Sequence, residues 1–140
     1  MRRTQLFCSL LLLVMGCGGP SLAPVSGKIT LDGKPLADAT VGFYPLGANA
    51  AVTSTGRTNG KGEYSLKTVM NDQTGAVVGK HRVSITVEPD LTGTDLPADK
   101  LAKVARPPKL PARYQGAESE LTCEVPPGGK ADANFELKSK

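Results

Sequence analysis

The 140-residue chain has few of the residues on which catalytic and metal-binding proteins depend. It contains one histidine, three cysteines and no tryptophan, and only 4% of its residues are aromatic. A zinc site needs about four nitrogen or sulfur ligands, so these residues are too few unless carboxylates complete the set. The turn TNGKGE, residues 58–63, has too few carboxylates for a calcium loop. We therefore expect no metal site, no cofactor and no enzyme activity.

The sequence also lacks an apolar run long enough to cross a membrane. Its N-terminal apolar stretch, residues 6–15, covers about ten residues, whereas a transmembrane helix needs roughly 20. Arg2 and Arg3 precede this stretch and small residues follow it. That order is typical of a secretory signal.

The residues that close this signal are more specific. Val14, Met15, Gly16 and Cys17 resemble the lipobox of bacterial lipoproteins. The resemblance implies that residues 1–16 are a signal peptide, that the chain is cleaved before Cys17, and that the Cys17 thiol carries a diacylglycerol. It implies an extracytoplasmic, membrane-anchored protein, and Gly18, which is not acidic, favours the outer membrane if the cell has one. The alternative is an ordinary signal peptide in which Cys17 has no special role.

The mature chain would be residues 17–140, a length that fits one domain. Gly18, Gly19, Pro20 and Ser21 predict a flexible tether over residues 17–24. Fifteen Lys and Arg then oppose 13 Asp and Glu, which leaves a net charge of only +2 and makes nucleic acid a poor partner. Cys123 has no cysteine left to pair with, so we expect a small buried apolar residue there.

Short apolar–polar alternations predict the fold. They indicate an all-β protein with about seven short antiparallel strands, the pattern of a small Greek-key sandwich. Asp32-Gly33 predicts a tight turn, because both positions accept positive φ. With so few aromatic residues, the core should be thin and rely on aliphatic side chains. The predicted strands are 25–31, 39–45, 54–58, 63–68, 80–89, 120–126 and 131–138, the last two paired as a hairpin.

Three segments in this pattern resemble the carboxypeptidase regulatory-like domain, one of the transthyretin-like (prealbumin-like) sandwiches. They are GKITLDGKPLADATVGFYP, GRTNGKGEYSL and GKHRVSITV. The segments LPARYQ and LTCEVPPGGKADANFELK are similar to the end of small bacterial lipoproteins that carry this domain. The resemblance implies a single sandwich domain over residues 25–140, usually an accessory or binding unit and not a catalyst. We expect a structural role or the binding of a protein or glycan at the cell envelope.

His81 is the one side chain suited to general acid–base chemistry. It alternates with Val83 and Ile85, which indicates a residue of the core or of a strand edge. The chain has no G-x-S-x-G nucleophile pattern. A small envelope hydrolase that uses His81 is the alternative to a binding module.

A basic strip lies in the proline-rich segment near residues 95–113. It consists of Lys100, Lys103, Arg106, Lys109 and Arg113, and no acidic residue lies between Lys100 and Ala117. The segment predicts a loop or a short helix over residues 97–105, which Pro107 must end. It is either a solvated connection between strands or an anion-binding ridge that faces an anionic membrane or an acidic glycan.

Overall fold

The protein is all-β in the residues that the computed structural model describes, which are 20–47, 50–88 and 107–140. These residues form eleven strands and two single turns of 3₁₀ helix, Ala112–Tyr114 and Gly116–Glu118. The strands are β1 (Leu22–Ala23), β2 (Ser26–Leu31), β3 (Lys34–Pro35), β4 (Ala39–Pro45), β5 (Ser54–Arg57), β6 (Glu63–Ser65), β7 (Lys67–Thr68), β8 (Ala76–Val77), β9 (Gly79–Val87), β10 (Thr122–Val125) and β11 (Phe135–Leu137).

Two sheets form the sandwich. The larger one has the strand order β10-β9-β4-β5-β7, and the smaller one has the order β11-β2-β3, with β6 also paired to β2. The long β4–β9 ladder runs from the pair Ala39–Val87 to the pair Pro45–His81. A third, two-stranded sheet joins β1 to β8.

The core lies between the two sheets, as the alternation predicts. Val41 and Phe43 on β4 and Ile85 on β9 are fully buried, and they pack in one cluster with Ile29 and Leu137 of the smaller sheet. Phe43 is the largest fully buried side chain, and most of the others are aliphatic. The core therefore consists mainly of aliphatic side chains, as the low aromatic content predicts.

The predicted C-terminal hairpin is wrong. β10 pairs antiparallel with β9 in the larger sheet, whereas β11 pairs in parallel with β2 in the smaller one. The connection crosses between the sheets where the Lys130 N–H donates to the Pro24 carbonyl at 2.8 Å. A crossover buries both apolar sets as well as a hairpin does, so alternation could not distinguish the two. The sandwich consequently contains one parallel pair among antiparallel ones.

Two further boundaries differ from prediction. The strand predicted over residues 63–68 changes sheet at Leu66, so that it forms β6 on one side and β7 on the other. Leu66 donates its N–H to the Val25 carbonyl at 2.9 Å. The sandwich also begins earlier than expected, because β1 lies within the tether predicted for residues 17–24.

The sandwich has two ends, which we call proximal and distal. At the proximal end the chain enters through β1, β4 ends, and β5 and β9 begin. At the distal end β2 turns through Asp32-Gly33, β4 begins and β9 ends at Val87. Eight steps along β9 of about 3.4 Å each separate the two ends by about 27 Å.

Candidate functional site

The first described residues are held at the proximal end. Ser21 accepts a hydrogen bond on its carbonyl from the Val78 N–H at 2.9 Å, and Leu22 pairs with Val77 in the β1–β8 ladder. Cys17, the predicted lipidation site, lies outside the described residues. It precedes Pro20 by three residues, and three residues span at most about 11 Å. A lipid on Cys17 would therefore lie close to the proximal end.

Sequence reasoning missed this attachment for a physical reason. A two-residue strand is too short to show an alternation of apolar and polar residues. The sequence SLAP, residues 21–24, also resembles the small and polar residues of the preceding tether in composition. The signal that could have found it is the small apolar Ala23, which is 1% exposed in the structure.

The basic strip can be located only in part. Lys100, Lys103 and Arg106, with the helix predicted over residues 97–105, lie outside the described residues. Lys109 is exposed. Arg113 donates from Nη2 to the Lys140 carbonyl at 2.8 Å, and its guanidinium carbon lies 5.0 Å from the centroid of the Tyr114 ring.

Both described members of the strip lie at the distal end. Lys109 lines a cleft of about 330 Å³ together with Val87, the last residue of β9. Arg113 lies beside the residues that follow β11, since the neighbouring Tyr114 Oη accepts from the Lys138 N–H at 3.2 Å. The proximal end is about 27 Å away, which exceeds the Debye length of about 8 Å at physiological salt. In a domain that stands on its proximal end, these two charges would not reach a membrane surface.

His81 is buried inside the sandwich. It is 1% exposed, and its ring centroid lies 5.5 Å from that of Phe43. Its Nδ1 lies 3.0 Å from the Gly79 carbonyl, whereas its Nε2 has no hydrogen-bond partner within the described ranges. Burial lowers the pKa of His81, so the ring is neutral in the folded protein. A general base must reach the proton that it abstracts, and this ring has no access to solvent.

Cys123 is the residue directly opposite His81 in the β9–β10 ladder. Its side chain is a free thiol, is buried, and has a pKa that burial raises. A protonated, buried thiol is a poor nucleophile. The pair therefore packs as part of the core, which agrees with the expectation for Cys123.

The described surface does not assemble a metal site. No group of three or more His, Cys, Asp or Glu side chains in residues 20–47, 50–88 and 107–140 could hold an ion together. In the turn at residues 58–63, Asn59 Oδ1 accepts the Lys61 N–H at 2.9 Å and the Glu63 N–H at 3.0 Å. The Asn59 side-chain oxygen thus stabilises the turn through two backbone hydrogen bonds.

A cleft on the outer face of the larger sheet brings an aromatic ring and a cation together. Tyr44 and Arg82 are directly opposite on β4 and β9, and with Gly116 and Ala117 they line a cavity of about 240 Å³. The Tyr44 ring lies over Gly42, where an added Cβ would come within 2.9 Å of the ring. Glycine at position 42 therefore lets the ring lie along the sheet with a face toward solvent. Tyr44 is on the outer face because it alternates with the buried Phe43 and Pro45. The sequence gives no sign of its partner Arg82, because that pairing depends on strand register.

No family model, curated protein or solved structure matches the chain. Among the described residues, no helix has the length and apolar character needed to cross a membrane.

Proposed function

We propose that this chain is a lipid-anchored, extracytoplasmic β-sandwich module with a non-catalytic role at the cell envelope. The observation that carries the proposal is the position of Cys17 in a lipobox-like sequence, five residues before the sandwich begins at Leu22. A lipid on Cys17 brings at least two acyl chains, which is enough for stable membrane attachment. Five residues then hold the folded domain at the membrane surface, within about 18 Å of the lipid.

The alternative, a hydrolase that uses His81, has less support. The general base would be His81, which is 1% exposed. The thiol of Cys123, directly opposite His81, is also buried, and burial raises its pKa.

The test of the anchor is the intact mass of protein purified from membranes. Protein cleaved before Cys17 should carry the mass of a diacylglycerol, and the Cys17→Ser variant should lack it and leave the membrane fraction. Cys123→Ser is the matched control, because it removes the other mature cysteine and should leave lipidation unchanged. Unmodified wild-type protein, cleaved elsewhere and free in the medium, would contradict the proposal.

For a binding role, we propose an acidic glycan as the ligand of the Tyr44–Arg82 cleft. The exposed ring face of Tyr44 can pack against the C–H face of a sugar, and the Arg82 guanidinium can pair with a carboxylate. A concave, mostly apolar surface with a few placed polar groups is the usual form of a ligand site.

This ligand class can be tested by calorimetry with oligogalacturonate as the acidic probe and maltooligosaccharides as the neutral one. Tyr44→Ala should abolish binding of oligogalacturonate, and Arg82→Gln should remove the preference over the neutral probe. Thr86→Ala, farther along the same outer face of β9, should change neither. Equal binding by the wild type and by the Tyr44→Ala variant would rule out the cleft as the site.

A further inference from the structure

The described part of the chain leaves four large apolar side chains exposed. They are Tyr44, Leu46, Val69 and Met70, with 42%, 44%, 62% and 78% of their surface accessible. Tyr44 belongs to the cleft described above. We call the other three the apolar rim, since exposed apolar side chains that lie at one end of a domain can mark a contact with a membrane or another protein.

The apolar rim lies at the proximal end. Leu46 follows β4 and donates its N–H to the carbonyl of Lys80, the second residue of β9, at 2.8 Å. Val69 follows β7 and donates its N–H to the carbonyl of Thr53, just before β5, at 3.0 Å. Met70 is the next residue. Two strand spacings and two residue steps along the sheet separate Leu46 from Val69 by roughly 12 Å.

The chain also enters the sandwich at this end. The Ser21 carbonyl accepts the Val78 N–H one residue before β9 begins, and Leu46 contacts the backbone of the same strand at Lys80. Under the proposed function, on which this step rests, the lipid of Cys17 lies within about 11 Å of Pro20. The lipid and the apolar rim would thus project from the same end of the domain.

We infer that the apolar rim inserts into the surface of the lipid bilayer that holds the Cys17 lipid. Attachment through the lipid keeps the rim at a high effective concentration near the membrane, so even three side chains can bind. Of the charged residues nearby, Asp72 is paired with Lys67 at 3.1 Å, and the exposed Glu124 lies directly opposite Lys80 in the β9–β10 ladder, where opposite charges can pair. The Lys80 side chain is also long enough to direct its ammonium to the headgroups. Because the contact is apolar, added salt does not release it. The Tyr44–Arg82 cleft begins two residues before Leu46 on β4 and extends away from the rim, toward Ser84, whose Oγ accepts the Gly116 N–H at 2.7 Å.

The absence of tryptophan makes a direct test available. Met70→Trp places a single fluorophore on the rim, and Lys34→Trp places one on the exposed first residue of β3, next to the Asp32-Gly33 turn at the distal end. Each lipidated variant is reconstituted into vesicles of phosphatidylethanolamine and phosphatidylglycerol whose acyl chains carry bromine near the headgroup. Side chains bound at an interface reach about 5–10 Å into it, so bromine should reduce the Met70→Trp emission at least about twofold. The Lys34→Trp emission should not change.

A second variant measures the contribution of the remaining rim. Adding Leu46→Ser and Val69→Ser to Met70→Trp should restore most of the emission, while the protein still floats with the vesicles. High salt should leave the quenching of the single variant intact.

The outcomes separate the two proposals. Floating, lipidated protein with an unquenched Met70→Trp would overturn insertion of the rim and leave the anchor standing. Quenching that is lost at high salt would also overturn insertion, in favour of a charged contact with the headgroups. Emission that changes with the amount of protein on the vesicles and not with bromine would overturn it in favour of a contact with a second copy of the chain. Protein without a lipid mass that does not float would overturn the proposed function itself.

Discussion

Cys123 lies directly opposite His81 across the β9–β10 ladder, and both side chains point into the sandwich. Directly opposite residues in an antiparallel ladder have Cβ atoms about 4.5–5.5 Å apart. The pair thus joins the one histidine and the one buried thiol of the described chain in a single apolar environment. Each is held in its neutral form by burial, since the pKa of His81 is lowered and that of Cys123 is raised.

The buried histidine predicts that the protein loses stability in mild acid. Below the ordinary pKa of about 6.5, the unfolded chain takes up a proton on His81 more readily than the folded chain does, because burial lowers the pKa of His81 in the fold. The contribution of His81 to the free energy of unfolding should be nearly constant between pH 7 and 6.5 and fall as the pH drops toward 5, by at most about 1.4 kcal/mol per pH unit. Urea unfolding at pH 7, 6 and 5 measures this slope.

The matched control is His81→Leu, which removes the only histidine. Its stability should show no such slope between pH 7 and 5. A wild-type protein whose free energy of unfolding stays flat, or rises, over this range would mean that His81 is protonated in the folded state.

The thiol gives an independent measure of the same packing. With Cys17 lipidated, Cys123 is the only free thiol of the mature chain, and its burial should make it unreactive toward Ellman's reagent until the protein unfolds. In the double variant Cys123→Ser/Thr122→Cys, the thiol moves to an adjacent exposed position and should react at once. Rapid reaction of the native wild-type thiol would show that the β10 edge opens.

Much of the sandwich could be predicted from the sequence where alternation is strong. The strand 39–45 has the bounds predicted for it, because Val41 and Phe43 alternate with outward residues and Pro45 closes the run. Asp32 and Gly33 have φ values of 50° and 83°, as the turn prediction requires. Cys123 and Val125 are buried as expected, whereas Phe135 is only partly so.

What could not be predicted depends on contacts between distant strands. Alternation tells which side of residues 131–138 is buried but not which strand they join, and they join β2 in parallel. The position of Lys109 and Arg113 at the distal end follows from the topology alone. Lipidation at Cys17 stays a prediction, because Cys17 lies outside the described residues.

The parallel crossover predicts a strict requirement for glycine at position 27. A Cβ on Gly27 would overlap the carbonyl oxygen of Ala133, where the C-terminal segment passes beside β2. Gly27→Ala should therefore lower the free energy of unfolding by about 1–3 kcal/mol, the usual cost of overpacking. Gly60→Ala is the control, because no atom lies within 4 Å of its added Cβ. Equal denaturation midpoints for the two variants would contradict the close approach of the two segments.

The same crossover is held by a buried phenol. Tyr64 is 4% exposed, and its hydroxyl donates to the Ala133 carbonyl at 2.6 Å. Burial raises the pKa of Tyr64 far above its ordinary value, so the hydroxyl stays a donor. The carbonyl would be left without this partner in Tyr64→Phe, which should lower the free energy of unfolding by about 1–3 kcal/mol.

Tyr44→Phe is the control for this change, because the Tyr44 side chain is 42% exposed and its hydroxyl can bind water. Its chemical denaturation curve should superimpose on that of the wild type, while the Tyr64→Phe curve shifts to lower denaturant with the same slope. A change of slope would indicate that the C-terminal segment detaches before the rest of the sandwich unfolds. An unshifted curve for Tyr64→Phe would mean that the hydroxyl does not hold the segment 130–137 against β2.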